Sequence, residues 1–277
     1  MNILYCGDRN IQQGLTLSIL SLLEHAPEPL HIYVLTASLR WGDKSCQALP
    51  DSCIQELDSL LRTADARNSI VKFDISGLVR SEPPTVNLNT RFTPCCMLRL
   101  YADRVAQIPD RILYLDTDVL CRGDLTEFYY QDLEGAELAG VLDYYGRWFF
   151  RRNILRMDYL NSGVLLLDLG KIRQTGLFRR CVRRCAEKKM FMPDQSAINK
   201  LAQKKKILPR KYNEQRLLQP DTVLQHFSTS LHLFPVFHTV SVKPWDIERM
   251  HSVLKLHEYD GLLEEFAAWK SDFGGSL

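Results

Sequence analysis

The chain has 277 residues, enough for one large α/β domain with a sizeable core. Its 35 Lys and Arg against 33 Asp and Glu leave a formal charge of +2, which gives no global attraction to nucleic acid and makes any basic surface a local feature. No stretch reaches the roughly 18 apolar residues of a membrane span, Met1 leads directly into Asn2-Ile-Leu-Tyr, and the eight Cys are scattered, so a cytoplasmic, non-spanning protein without a disulfide framework is expected.

Asn2 to Cys6 is an apolar opening strand followed by the polar cluster Gly7-Asp8-Arg9-Asn10, typical of a loop at the carboxyl end of a sheet. Leu15, Ile19, Leu22 and Leu23 recur at helical spacing until Pro27 and Pro29. A second strand is expected over His31–Leu35, a second helix over Asp51–Arg67 with Ile54, Leu57, Leu60 and Leu61 on its face, and a third strand over Ser69–Phe73. Strands alternating with helices imply a mostly parallel sheet flanked by helices, with ligands at the strands' carboxyl ends. The G-x-G-x-x-G and G-x-x-x-x-G-K-[ST] patterns are absent, which weighs against dinucleotide oxidoreductases and P-loop enzymes. Residues 75–94 read as a loop, and Met97–Ala106 as a helix.

Arg111-Ile-Leu-Tyr-Leu-Asp-Thr-Asp118 carries the most chemical information. An apolar run of this kind is a strand buried on both faces. It ends on Asp116 and Asp118, whose i, i+2 spacing in extended chain points both carboxylates the same way. Two such charges beside a buried strand repel and lose hydration unless something positive lies between them. A divalent cation with a preference for oxygen ligands, Mg²⁺ or Mn²⁺, meets that need and leaves positions for substrate phosphates. An exposed turn with Asp at both ends is the competing account.

Leu138–Leu142 is a further strand, ending at Asp143, and Tyr144–Met157 is rich in aromatics and Arg. Tyr159–Asp168 is a small polar turn feeding an apolar strand. Leu177–Met190 is a basic helix with Arg179, Arg180, Arg183, Arg184, Lys188 and Lys189, followed by Lys204–Lys206. A solvated cationic face is the usual meaning of such a run, and peripheral contact with anionic lipid stays open. Cys181 and Cys185 lie one turn apart on this helix, but no two further zinc ligands accompany them, so inert thiols are expected. Pro193 starts a helix with Asp194 and Gln195 in its first turn, where plain capping competes with function. Thr222–Phe227 is a strand containing His226. His238 and Lys243-Pro-Trp245 follow, and His251–Trp269 reads as an amphipathic helix packed on the fold.

In this order the blocks resemble the retaining glycosyltransferases of family 8, which include bacterial lipopolysaccharide galactosyl- and glucosyltransferases and are similar to glycogenin. The matching pieces are the first strand with Asp8 and Asn10, Leu98-Arg99-Leu100, Ile112–Asp118, Leu160–Leu167, Asp194-Gln195, and a His-containing strand before Lys243-Pro-Trp245. The resemblance implies a single GT-A (Rossmann-like) domain over residues 1–250 and a C-terminal helical extension, 251–277, packed on it. It implies a UDP-glucose or UDP-galactose donor, Mn²⁺ or Mg²⁺, and a glycan or lipid-linked saccharide acceptor in lipopolysaccharide or surface polysaccharide synthesis, at most peripheral to the inner face of the membrane.

By the same resemblance Asp116, Asp118 and a His hold the metal. Cys6, Asp8 and Asn10 face uracil and ribose, Cys6 through its backbone. Arg99, Thr117, Asp143, Asn161 and Ser162 contribute to the donor pocket, Lys243 places a charge on the diphosphate, and Asp194 and Gln195 lie at the reacting carbon. The His departs from the family pattern. His226 ends a strand in the expected Val-Leu-Gln-His-Phe context and is the first choice; His238 has the better spacing to Lys243 and is the second. A sugar nucleotidyltransferase would need a basic Gly-rich loop after the first strand, which Gly7–Asn10 does not supply. A non-catalytic glycan-binding protein would have no use for this charge arrangement.

Overall fold

The structure is a computed structural model that describes residues 1–88, 94–146, 158–232 and 238–273, with the side chains of residues 231, 232, 238, 272 and 273 outside the description. Its centre is a seven-stranded sheet in the order β10-β8-β9-β6-β1-β2-β5. These strands are β1 (Asn2–Cys6), β2 (His31–Thr36), β5 (Ser69–Asp74), β6 (Arg111–Leu115), β8 (Leu138–Leu142), β9 (Leu160–Asp168) and β10 (Lys205–Leu208). All pairings are parallel except those of β9, which runs antiparallel to both neighbours, β6 and β8. The amino end of β9 therefore lies between the carboxyl ends of β6 and β8. A register shift between Gly140 and Leu142 sets Leu142 opposite Leu160, the local slip by which a bulge re-aims side chains.

The continuous apolar runs are buried on both faces, as the sequence implied. Successive residues of β6 and β9 feed opposite cores. Leu113, Leu115, Val164 and Leu166 enter one, and Ile112, Tyr114, Leu165 and Leu167 the other. Helix α1 (Gln12–His25) is buried from Gly14 through Leu22, including Thr16, Ser18 and Ser21. The two serines tie it to β7 (Val119–Cys121): Ser18 Oγ donates to the Val119 carbonyl at 2.7 Å and Ser21 Oγ accepts from the Cys121 N–H at 2.9 Å. Such pairing removes the penalty for burying hydroxyls. Beyond α1 come α2 (Asp51–Ala64), the hairpin of β3 (Leu39–Trp41) and β4 (Lys44–Cys46), α3 (Ser76–Ser81), α4 (Thr126–Tyr130), α5 (Leu169–Thr175), α6 (Leu177–Glu187) and α7 (Pro193–Leu201).

The segment expected to be helical over 97–106 is a 3-10 helix spanning Pro94–Arg104. Over eleven residues an apolar pattern does not separate 3.0 from 3.6 residues per turn. The stretch read as a loop over 75–94 contains α3 and a 3-10 turn at Thr85–Asn87, while most of Tyr144–Met157 lies outside the described residues. The strand with His226 is shorter than expected, β11 (Leu224–His226), and pairs antiparallel with β7. The stretch 228–237, which reads as an insertion if His226 is the ligand, begins a second ribbon in which β12 (Ser230–His232) pairs with β13 (His238–Val240).

The C-terminal helix α8 (Asp260–Phe273) starts later than the sequence suggested, after a π-turn at Met250–Leu254. Leu262, Leu263, Phe266 and Trp269 all enter the core shared with α1, while Leu254 is exposed. The Tyr259 hydroxyl donates to Gln225 Oε1 at 2.7 Å and fixes the approach to α8 beside β11. Phe266→Ala should lower stability by about 3–5 kcal/mol, the cost of emptying a buried aromatic site. Urea unfolding measures it, and a loss under about 1 kcal/mol would mean that the apolar face does not anchor α8.

Candidate functional site

Three loops at the carboxyl ends of β1, β6 and β8 and the amino end of β9 meet along one rim of the sheet, where open α/β sheets place their ligands. At the centre, the turn after β6 is closed by Val119 N–H on the Asp116 carbonyl at 3.1 Å, and Asp116 N–H bonds the Gly163 carbonyl of β9 at 2.8 Å. The pairing of β11 with β7 sets His226 opposite Val119, returning the imidazole over the carboxylates. His226 Nε2 is 3.4 Å from Asp118 Oδ1 and 3.9 Å from Asp116 Oδ2. Lys243 Nζ reaches the other oxygen of Asp118 and the Phe227 carbonyl, the latter at 3.1 Å.

Burial works against ionisation of Asp118, yet Lys243 and His226 overcome it and hold the carboxyl below the usual carboxylate range. Burial likewise opposes a charge on His226, and Asp118 with Asp116 raises its affinity for a proton in spite of that. Donor atoms of Asp116, Asp118 and His226 all lie within 4.8 Å of one another, and His226 Nδ1 is buried without a hydrogen-bond partner among the described residues. Two hard oxygen donors and an imidazole fit a divalent cation such as Mn²⁺ or Mg²⁺. The space is tight: a Cβ on Gly163 would stand 2.2 Å from His226 Cε1 and 2.9 Å from Asp116 Oδ2.

Arg99 closes the other side. Its guanidinium lies 4.0 Å over the Tyr114 ring, donates to Asp116 Oδ1 at 2.8 Å, pairs with Asp194 at 3.3 Å, and also donates to the Ser162 carbonyl. Tyr114 O–H donates to the same Asp116 oxygen. Burial alone would loosen the Arg99 proton, but Asp116, Tyr114 and Asp194 hold it far more tightly than in water. Asp194, in the first turn of α7, is pushed up by burial despite Arg99.

Towards β8, Asp143 Oδ2 accepts from Asn161 Nδ2 and from Gln195 Nε2, each at 3.0 Å. Gln195 Oε1 accepts from the Ser162 N–H at 2.9 Å and from its hydroxyl at 3.2 Å. Towards β1, Asp8 accepts from the Asn10 backbone at 3.0 Å and side chain at 3.2 Å, while burial raises the Cys6 thiol beyond any role as a thiolate at neutral pH. Thr117 contributes main chain here. Its carbonyl would be 2.6 Å from a Cβ on Gly14, as would Trp245 Cζ3, so α1, the carboxylate turn and the Lys243 segment are packed as one unit.

The structure thus groups Cys6, Asp8, Asn10, Arg99, Asp116, Thr117, Asp118, Asp143, Asn161, Ser162, Asp194, Gln195, His226 and Lys243 along one rim. His238 is placed by its backbone, opposite His232, and its ring lies outside the described side chains. Sequence reasoning missed Tyr114, Gly163 and Asn213, the last donating to Asn161 Oδ1 at 3.0 Å. Tyr114 was within reach, since it shares a face with Asp116 two residues on.

The family model for Glycosyl transferase family 8 matches residues 2–248. The chain belongs to this family. Among the relatives of this family 8 chain is a lipopolysaccharide 1,2-glucosyltransferase of Escherichia coli (strain K12), 24% identical, the match covering 98% of this chain and 80% of the relative. Another, a lipopolysaccharide 1,3-galactosyltransferase of Salmonella typhimurium (strain LT2), is 25% identical over 77% of this chain and 63% of its own. The solved structure of galactosyltransferase LgtC with donor and acceptor sugar analogs superposes with a TM-score of 0.68, at 20% identity, over 97% of this chain and 96% of that one. The fold of this family 8 member is accordingly the GT-A arrangement of a mostly parallel sheet flanked by helices.

Arg99 and Asp194 are 4% and 6% exposed at their side chains. Removing the cation strands two carboxylates, so Arg99→Ala should cost about 3–5 kcal/mol in folding stability. Chemical denaturation checks this, and Arg99→Lys should recover only part, because an ammonium cannot reproduce the planar fork.

Proposed function

We propose that this family 8 glycosyltransferase is a metal-dependent, retaining hexosyltransferase that moves glucose or galactose from a UDP-sugar to a saccharide acceptor in lipopolysaccharide or surface polysaccharide synthesis. The observation that carries the reading is the convergence of Asp116, Asp118 and His226 with Lys243 on one side and the Asp143–Gln195–Ser162 network on the other. In this reading Asp8 and Asn10 hold uracil and ribose at the end of β1. Asp116, Asp118 and His226 would hold Mn²⁺ or Mg²⁺, which would supply charge neutralisation to a departing diphosphate. Lys243 adds a point charge on the same group.

Gln195 has both ends of its carboxamide engaged, so its orientation is fixed before substrate arrives. The carboxylate of Asp143, which has no cation paired to it among the described residues, provides a negative field around a donor sugar, suited to an oxocarbenium-like transition state. A front-face reaction, in which the β-phosphate oxygen takes the acceptor's proton, accounts for retention without a carboxylate nucleophile. The acceptor fits a cavity of about 390 Å³ lined by Leu142, Tyr144, Asn213, Gln215, Arg216 and Leu217. Tyr144 N–H bonds Gln215 Oε1 at 2.9 Å, which couples this wall to the residue after Asp143.

Among the described residues no helix is long and apolar enough to cross a membrane. The exposed Arg179, Arg183, Lys188 and Lys189 in and after α6 suit a peripheral contact with anionic lipid.

A panel of UDP-sugars, tested for UDP release with and without Mn²⁺, should show one hexose turned over by the wild type and a loss of at least about 100-fold in Asp118→Ala. No turnover of any UDP-sugar, with no metal-dependent UDP binding, would overturn the reading. Gln195→Ala strands the Ser162 N–H, leaves Asp143 Oδ2 with Asn161 alone, and should reduce kcat by about tenfold or more. Full transfer activity in that variant would remove Gln195 from the chemistry.

A further inference from the structure

A second cluster of ligating groups sits beside the end of β1, away from the Asp116, Asp118 and His226 set. Cys46 at the end of β4 and Cys95 at the start of the 3-10 helix bring their sulfurs to 3.4 Å. An oxygen of Asp8 completes a set whose members all lie within 4.8 Å of one another. The residues are 7%, 4% and 5% exposed respectively. They come from three separate segments, so neighbourhood in sequence does not explain the convergence.

We propose that Cys46, Cys95 and Asp8 form a site for a thiophilic divalent cation of the Zn²⁺ or Cd²⁺ kind, whose occupation competes with nucleotide binding at Asp8. The competition rests on the role proposed above for Asp8; the cation site does not.

The sulfur separation selects between the two chemistries open to a cysteine pair. Tetrahedral zinc with bonds of about 2.3 Å holds two sulfurs about 3.8 Å apart, a few tenths of an ångström from the observed spacing. A disulfide of about 2.05 Å would require the sulfurs to close by more than an ångström. The Cys95 S–H points at the Cys46 sulfur, so the two sulfurs already face one another across the space a cation would take. Ligation exchanges the thiol protons for the cation and releases them to solvent, with no oxidant or reductant involved. The two sites select different ions because the Asp116, Asp118 and His226 set contains no sulfur.

Asp8 links this cluster to the donor site. Both of its oxygens are bonded to Asn10, so drawing its carboxylate towards the sulfurs disturbs Asn10 as well. A cation here acts as a brake on donor binding.

Titration of the wild-type protein with Cd²⁺ in saturating Mg²⁺ tests this through the near-ultraviolet thiolate-to-cadmium charge-transfer absorption. The band should saturate at one Cd²⁺ per chain, vanish in Cys46→Ser and in Cys95→Ser, and persist in Cys181→Ser. Peptide mapping after alkylation of the wild type adds a readout that needs no substitution, with Cd²⁺ expected to protect Cys46 and Cys95. Absence of the band in the wild type, or its survival in Cys46→Ser together with unprotected thiols, would overturn the site. UDP should weaken apparent Cd²⁺ affinity at least fivefold. A band indifferent to bound UDP overturns the competition, whereas a band in a protein that binds no UDP upholds the cation site and counts against the proposed function instead.

Discussion

The buried guanidinium of Arg99 is the constraint on which the site depends. Asp116 and Asp194 come from separate segments of the chain, the turn after β6 and the first turn of α7, and Arg99 bonds to both while its plane rests on Tyr114. Without a cation there, two carboxylates removed from water would repel and lose solvation together. With it, negative charge can be concentrated at the ends of β6 and α7. Arg99 also donates to the main-chain carbonyl of Ser162, which couples the electrostatics to the position of β9. One side of the carboxylate cluster is thereby neutralised within the protein, while Asp118, His226 and Lys243 form the side that faces ligand in the proposed reaction.

The reversal of β9 supplies the geometry. A strand parallel to β6 would have presented its carboxyl end at this rim, followed by a loop. Running antiparallel, β9 presents its first residues instead, and Asn161, Ser162 and Gly163 enter the site from the stretch of the strand where its register with β8 shifts. They are held by specific bonds, Ser162 N–H on Gln195, Gly163 N–H on Asn161 Oδ1 and Asp116 N–H on the Gly163 carbonyl, which favours fixed hydrogen-bond donors over adaptable ones. Beyond the register shift between β8 and β9, Asp143 N–H bonds the Tyr159 carbonyl while its side chain accepts from Asn161, and the absent side chain of Gly163 leaves room for His226.

Much of this was legible in the sequence, for physical reasons that differ by element. The apolar run before Asp116 and Asp118 revealed a doubly buried strand because burial on both faces leaves no alternation. The carboxylate pair stood out because charge at the end of such a strand needs a partner. The direction of β9 was not legible, since an apolar run is the same in either sense and its neighbours are distant in sequence. The 3-10 form of Pro94–Arg104 escaped for lack of length. Between His226 and His238, spacing along the chain carries no information about the β7–β11 pairing that sets His226 beside Asp118. The cysteine cluster was equally hidden, because Asp8, Cys46 and Cys95 share no spacing that marks a ligand set.

The strand order has one more consequence. Among the described residues β5 and β10 are the outer strands of the sheet, and each leaves one row of peptide groups unclaimed by a neighbouring strand of that sheet. Each also carries an exposed β-branched side chain, Val71 and Ile207, the kind that promotes pairing between copies. Lysines stand next to them: Lys72 beside Val71, and Lys206 beside Ile207. Their ammonium groups are held locally, Lys72 by Asp51 at 2.6 Å and Lys206 by Glu134 at 2.8 Å. Charge anchored on an edge strand discourages strand-to-strand self-association. These lysines, remote from any chemistry, act as guards against aggregation through the open margins of the sheet.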